Sequence, residues 1–369
     1  MPITPLMLLL ATGLSATAAP ARQISPTTEA NCQSPRFSAD GSRLSWERND
    51  HKARTVEIWT ATLSADGPPP SLAAPPPVGR QAPGGFQTAT RTHAAVGAVW
   101  APRTASARLR NTLIYGASTG GDDFDLFLLG GDGPLVTGPG ADGDVAWSPG
   151  APARIVFTSA RSGGGDLYIL PLGAEPHRLT HLEDSAEVSP TLSPDGKRVV
   201  YVAHSDRGDN LWIIDDIDVP TKPRPLTTWT GAQGRPRWSP DGRFVAFYAT
   251  MDSPSGPRVD LVVSTPEGAT KTVAKGVVAD GNGPAWSPDG SRLVYVSDDD
   301  AAFDPVFAVA PTGGPPARVP IDTVGNQDLD VTRGTAGAGV RIAVSAQGRL
   351  GDPQRDYRRV FIAELSALP

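Results

Sequence analysis

Five histidines, one serine motif and two aspartate clusters are the residues whose types could do chemistry here. His51, His93, His177, His181 and His204 are the complete histidine set. His177 and His181 are four apart, a spacing that presents two metal ligands together only on a helix. Their surroundings read as the end of a strand, where that spacing loses its meaning. Gly116-Ala117-Ser118-Thr119-Gly120 spells G-x-S-x-G, which activates a serine when it forms a strand–turn–helix elbow. Here it lies between the apolar runs Leu113-Ile114-Tyr115 and Phe124 to Leu129, so it reads as a hairpin loop. Asp215-Asp216-Ile217-Asp218 and Asp298-Asp299-Asp300 offer oxygen ligands, but neither follows a calcium-loop consensus. Arg207-Gly208-Asp209 reads as part of a polar loop rather than an adhesion signal. No nucleophile, base and orienting group are spaced as a set.

What would position these residues is a repeat. Trp147-Ser148-Pro149-Gly150 recurs as Leu192-Ser193-Pro194-Asp195-Gly196, as Trp238-Ser239-Pro240-Asp241-Gly242 and as Trp286-Ser287-Pro288-Asp289-Gly290. Weaker copies are Phe37-Ser38-Ala39-Asp40-Gly41, Trp100-Ala101-Pro102-Arg103 and Val331-Thr332-Arg333-Gly334. With the proline position as marker, the copies fall at 39, 102, 149, 194, 240, 288 and 333. The last six markers are almost evenly spaced, at the interval of one propeller blade. Proline presets φ at the start of the turn and glycine supplies positive φ at its end. Each turn leads into an apolar strand such as Ile155-Val156-Phe157 or Phe244-Val245-Ala246-Phe247. A polar loop, a third strand such as Asp166-Leu167-Tyr168-Ile169 and a short fourth strand complete the unit. The repeated aspartates 40, 195, 241 and 289 read as turn ligands, and the repeated tryptophans as inter-blade core.

The expected fold is therefore all-β: a seven-bladed β-propeller of four-stranded antiparallel blades, with six blades as the alternative. Ile24 precedes Ser38 by the same interval that separates Leu179 from Ser193, so Gln23-Ile24-Ser25 stands in the register of a fourth strand. The last unit has Val340 to Val344 and Val360 to Ala363 and then meets the end of the chain. The N-terminal strand is thus expected to close the ring. The long first interval holds a proline-rich insert at about 64–85, which no sheet interior accepts.

Composition excludes several classes. A net charge of −6 argues against a nucleic-acid partner. The single cysteine, Cys32, rules out an internal disulfide framework. No apolar run reaches the length of a membrane span. The run Leu6 to Leu14, followed by Ser15-Ala16-Thr17-Ala18-Ala19, reads as a secretory signal with cleavage before residue 22. Residues 1–21 are then leader and 22–369 one propeller domain, in a monomer that is periplasmic or secreted.

The repeat is similar to that of TolB-like propellers, on the Trp-Ser-Pro-Asp-Gly turns and the Asp-Leu-Tyr-Ile type strands that follow. The resemblance covers about residues 31–310 well and 323–363 weakly. It implies a non-enzymatic periplasmic propeller that binds other envelope proteins, although TolB itself carries an α/β domain before a six-bladed ring. The alternative is a small-substrate lyase or hydrolase working at the channel mouth. Residues five to seven before each marker are expected to ring that mouth: Asp142, Asp144, Glu187, Arg235, Asn282, Asn326 and Asp328. The set is mostly acidic, so a cation or a basic partner group would suit it, with no dedicated cofactor.

Overall fold

The computed structural model describes residues 18–27, 29–63, 95–106, 108–118, 124–149, 153–182, 185–206, 208–219, 221–279, 281–298, 303–334, 339–352 and 356–369. The proline-rich insert and most of the leader lie outside these residues, as do His93, Thr119 to Gly120, Asp299 to Asp300 and Arg207.

After the two-residue β1 (Arg22–Gln23), the chain lays down its blades in order. Blade one has β2 (Asn31–Phe37), β3 (Arg43–Asp50) and β4 (Thr55–Thr62) among the described residues. Blade two is β5 (Ala95–Trp100), β6 (Leu113–Ser118), β7 (Phe124–Leu128) and β8 (Pro134–Val136). Blade three is β9 (Asp142–Trp147), β10 (Arg154–Ser159), β11 (Asp166–Pro171) and β12 (His177–Arg178). Blade four is β13 (Ala186–Leu192), β14 (Val199–Ser205), β15 (Gly208–Ile214) and β16 (Arg224–Pro225). Blade five is β17 (Gln233–Trp238), β18 (Val245–Met251), β19 (Arg258–Ser264) and β20 (Thr270–Lys275). Blade six is β21 (Ala285–Trp286), β22 (Leu293–Val296), β23 (Val306–Val309) and β24 (Ala317–Arg318). A small pair, β25 (Thr323–Val324) with β28 (Gly348–Arg349), flanks blade seven, which is built from β26 (Leu329–Arg333), β27 (Val340–Ala346) and β29 (Arg359–Leu365).

Seven blades are present, and all paired strands within them are antiparallel. Ring closure follows the expected route. β1 is the outer strand of blade seven, with Arg22 opposite Ile362 and Gln23 opposite Phe361. The Ile24 amide donates to the Val360 carbonyl at 2.8 Å, and the Val360 amide donates to Ser25 Oγ at 2.9 Å. The two ends of the chain thus share one sheet, which removes the open edge a propeller would otherwise expose.

Alternation explains why the strands read as continuous apolar runs. Successive side chains leave opposite faces of a strand, and here both faces meet a neighbouring blade. In β10, Ile155 and Phe157 pack with blade two while Val156 packs with blade four. Among the described residues the core is accordingly a set of seven apolar layers, one at each blade-to-blade interface.

The turns are held as their composition suggests. In Ser-Pro-Asp-Gly, the serine hydroxyl donates to the aspartate, and the aspartate accepts the amide two residues on: Ser239 and Arg243 with Asp241 at 2.6 and 3.1 Å, Ser287 and Ser291 with Asp289 at 2.6 and 3.1 Å. The same serine accepts the amide five residues later, closing the hairpin at 2.9–3.0 Å. The tryptophans act across blades. Each indole N–H donates to an inner-strand carbonyl of the preceding blade: Trp100 to Arg36, Trp147 to Val99, Trp238 to Thr191 and Trp286 to Arg237, at 3.0–3.2 Å. At the closing interface Phe37 takes the tryptophan place, and its backbone amide donates to Asp330 at 2.8 Å instead.

Candidate functional site in the central channel

The inner strands share an irregularity that sequence alternation does not predict. In the first six units the residue five before the marker has positive φ: Ser34 at 52°, Gly97 at 67°, Asp144 at 45°, Ser189 at 53°, Arg235 at 58° and Gly283 at 81°. Strand registers shift there, between Gln33 and Arg36, Val96 and Val99, Val188 and Thr191, and Gly234 and Arg237. In blade three the shift shows on the facing strand, between Val156 and Thr158. These are β-bulges, each inserting one extra residue into the innermost strand. A bulge re-aims the residues around it, and here the left-handed residue turns into the central channel.

The seven candidate residues divide along that line. Asp144 and Arg235 occupy the bulge position, Asp328 has the same offset in the seventh unit without a bulge, and Asn282 is one residue earlier in its unit; all four line a channel cavity of about 420 Å³. Asp142, Glu187 and Asn326 stand two residues further back and are buried within the blade structure, at 1%, 0% and 1% exposure. Asp142 forms an ion pair with Arg161 at 3.0 Å. Glu187 accepts from the Thr180 and Ser185 hydroxyls, both at 3.0 Å. Burial pushes the Glu187 carboxyl up to about 7, and it also raises Asp142. Asn326 donates to the carbonyls of Asp304 and Thr323. Gln233 of blade five holds the equivalent buried place. Asp142 is thus tied to its own blade, whereas Glu187, Gln233 and Asn326 tie their inner strands to the preceding blade.

The channel carboxylates are engaged with backbone. Asp328 accepts the Ser34 amide at 3.0 Å, Glu47 the Gly97 amide at 2.9 Å and Asp144 the Ser189 amide at 2.9 Å. Each of these links one blade to the next through the amide of a bulge residue. A Cβ at Gly281 would overlap the Asp328 carboxylate, and Gly281 has φ of 56°, so glycine is required at this approach.

Facing them are three arginines, of which only Arg235 is legible in the sequence as a site residue. Arg36 and Arg237 stand three before their markers and converge on one backbone carbonyl, that of Asn282. Arg36 Nη2 donates to it at 3.2 Å, Arg237 Nε at 3.0 Å and Arg237 Nη2 at 2.6 Å. Asn282 Nδ2 in turn donates to the Pro35 carbonyl at 2.7 Å. Burial lowers both guanidinium pKa values, and repulsion by Arg235 adds to it for each. Arg36 also repels Arg237, which comes down to about 9. Asp330, behind them, is pushed up by burial. The cavity lining therefore carries three cations, Arg36, Arg235 and Arg237, against three anions, Glu47, Asp144 and Asp328. The acidic mouth expected from the sequence is balanced in charge. The signal that could have found the arginines is the alternation of position three with position five in the same strands.

Other candidate chemistry is dispersed. His204 pairs with Asp209 in its own hairpin, His51 contacts Asn31, and His177 and His181 are exposed at the edge of blade three. Asp215 is held by Arg224 at 2.7 and 2.8 Å, and Asp218 by Arg154. Ser118 ends β6 and is buried at 1% exposure. Among the described residues, no three His, Cys, Asp or Glu side chains are grouped to hold a metal ion.

These features define a velcro-closed, seven-bladed propeller with a polar channel. A family model described as the TolB beta propeller domain matches residues 173–347. Over 81 residues the chain is 36% identical to the Tol-Pal system protein TolB of Alcanivorax borkumensis, covering 21% of this chain and 18% of that protein. Over 118 residues it is 34% identical to an uncharacterized peptidase, YuxL, of Bacillus subtilis, covering 29% and 17% respectively. The chain thus spans under a fifth of either relative. Among solved structures, an oligogalacturonate lyase of Vibrio parahaemolyticus superposes with a TM-score of 0.56 at 10% identity, covering 93% of both chains. A prolyl endopeptidase structure superposes at 0.57 and 14% identity, covering 91% of this chain and 47% of that one. At such identities the superpositions speak for the fold. The chain is a seven-bladed β-propeller whose residues 173–347 match the TolB beta propeller domain.

Proposed function

We propose that this propeller is an exported cell-envelope protein that binds a protein partner at its channel mouth and catalyses no reaction of its own. The observation that carries the reading is the 36% identity of its repeats to a Tol-Pal system protein. The channel supports it. The bulge residues put polar side chains and backbone at one opening, on a rigid ring whose strands are buried on both faces. The leader reading supports export. Ala21 is packed in the apolar layer between blades six and seven, and the Ala19 amide donates to the Pro320 carbonyl at 2.7 Å. The propeller therefore uses residues from Ala19 onward, which favours cleavage after Ala18 over cleavage after Ala21.

The test is site-specific photo-cross-linking in intact cells. A photoreactive side chain replacing Ser189, on the channel wall, is expected to trap one envelope protein reproducibly. The same group replacing Glu267, on the exposed β19–β20 hairpin, is expected to trap none. No adduct from the channel, or the same adducts from both positions, overturns the reading. Turnover of a small substrate by the purified protein, lost on channel substitution, would favour the lyase or hydrolase alternative.

A further inference from the structure

We propose that the channel mouth holds a carboxylate-binding site, in which Arg36, Arg235 and Arg237 take the carboxylate of an incoming ligand. The site rests on the partner-binding reading and deepens it by giving the bound group a charge and a shape.

Three observations carry it. The first is donor capacity. A guanidinium presents five N–H donors in a planar fork. Arg36 directs one of its nitrogens, and Arg237 two, to a single acceptor, the Asn282 carbonyl. Among the described residues no carboxylate forms an ion pair with Arg36, Arg235 or Arg237. All three arginines line the cavity, and Arg235 is exposed in it.

The second is the state of the neighbouring carboxylates. Asp328, Asp144 and Glu47 line the same cavity but are drawn to backbone amides of adjacent blades. Asp330 lies in the same cluster and is engaged by the Phe37 amide. These anions link neighbouring blades, and Asp330, Asp328 and Glu47 attract Arg36 and Asp330 attracts Arg237 from a distance, without a direct hydrogen bond to either fork.

The third is the placing of Arg235. It sits at the bulge with φ of 58°, a conformation that disfavours a long side chain and that blades two and six supply with Gly97 and Gly283. Arg235 is exposed in the cavity beside two guanidiniums set deeper in the channel, both of which it repels. Carboxylates behind them offset part of this repulsion, Asp330, Asp328 and Glu47 at Arg36 and Asp330 at Arg237, and an anion bound beside the exposed Arg235 would offset more. A carboxylate matches the planar fork in bidentate fashion, and a cavity of about 420 Å³ admits one with the small molecule or chain end that bears it.

The ligand carboxylate has two sources, a free small acid or an acidic peptide end, and the experiment separates them. Titration calorimetry on the full chain would use citrate as one probe. The other is a six-residue peptide ending in two aspartates, compared with the same peptide having asparagines and a C-terminal amide. Saturable binding of citrate, of the acidic peptide or of both is expected, with none for the amidated control. Arg235→Gln removes one charge from an exposed side chain and should weaken binding about tenfold or more, as loss of a charge-assisted contact does. Arg237→Gln should do the same, with an unchanged melting profile of Arg235→Gln guarding against a folding artefact. Binding of citrate alone assigns a small-acid site, and binding of the peptide alone a protein terminus. No saturable binding by either probe, or equal binding by Arg235→Gln, overturns the proposal. A channel-specific cross-linked partner combined with that result would leave the partner-binding function standing and the carboxylate site refuted.

Discussion

Ring closure through β1 makes a quantitative demand on Ile24. Its side chain is fully buried in the layer shared by blades seven and one, among Cys32, Phe37, Leu44, Val360 and Ile362. Ile24→Ala removes three carbons from that layer. At about 0.8 kcal/mol for each buried carbon the transfer loss is about 2.4 kcal/mol. The cavity left behind brings the expected cost to about 3 kcal/mol, inside the usual range for this substitution. A chain of this length unfolds with an entropy of about 0.7 kcal/mol/K, so the melting temperature should fall by about 4 °C. Deleting residues 22–28 also removes the β1–β29 pairing and the three bonds to Val360, and should at least double the shift. Calorimetry gives the first number. Hydrogen exchange locates it: amides of 359–365 should lose protection in the variant relative to those of 154–159 in blade three. A melting temperature indistinguishable from the parent's, with unchanged exchange in 359–365, would refute the closure.

Three further outcomes are expected. Trp238→Ala should cost about 3–5 kcal/mol in denaturant unfolding, since the ring is buried against blade four and stacked 4.7 Å from the Arg198 guanidinium. Trp238→Phe keeps most of the packing and loses the bond to the Thr191 carbonyl, so its cost should be about 1–2 kcal/mol; equal losses for the two variants would discredit the inter-blade role. Glu187, pushed up to about 7 by burial, should make stability fall as pH rises. The unfolded chain ionises this carboxyl from its ordinary value of 4.5, while the folded protein resists until about 7, so the loss accumulates between those values and is absent below them. Glu187→Gln should flatten that part of the profile relative to the parent, and an identical slope in both proteins would count against it. Mass spectrometry of the exported protein should find Ala19 at the N-terminus; a start at Arg22 would show the Ala19 and Ala21 contacts to be dispensable.

Much of this architecture is readable along the chain because it is periodic and local. Ser-Pro-Asp-Gly turns specify their own hydrogen bonds, so Asp241 and Asp289 are turn ligands wherever the blade sits. Strands such as Ile155-Val156-Phe157 announce two covered faces by being apolar throughout. The equal offsets of Ile24 and Leu179 from their markers disclose the closing strand. The channel set is only half legible, because counting back from a marker assumes an unbroken alternation. Asp142 and Asp144, or Asn326 and Asp328, are two apart and would share a face in a regular strand. The irregular backbone of the inner strands breaks that rule, so one member is held within the blade while the other reaches the cavity.

The sequence by itself determined the repeat and the strand that closes the ring, and it favoured seven blades over six, since each rests on turn chemistry and on the spacing of the repeats. Only the tertiary structure decided the character of the channel. Arg36 of blade one and Arg237 of blade five are distant in the chain, yet they meet on the one carbonyl of Asn282. Asp144, Asp328 and Glu47 are turned to amides of neighbouring blades rather than left to attract a cation. Such pairings arise from the angle at which blades meet and from the bulge that aims each inner strand. No local pattern of residue types encodes either.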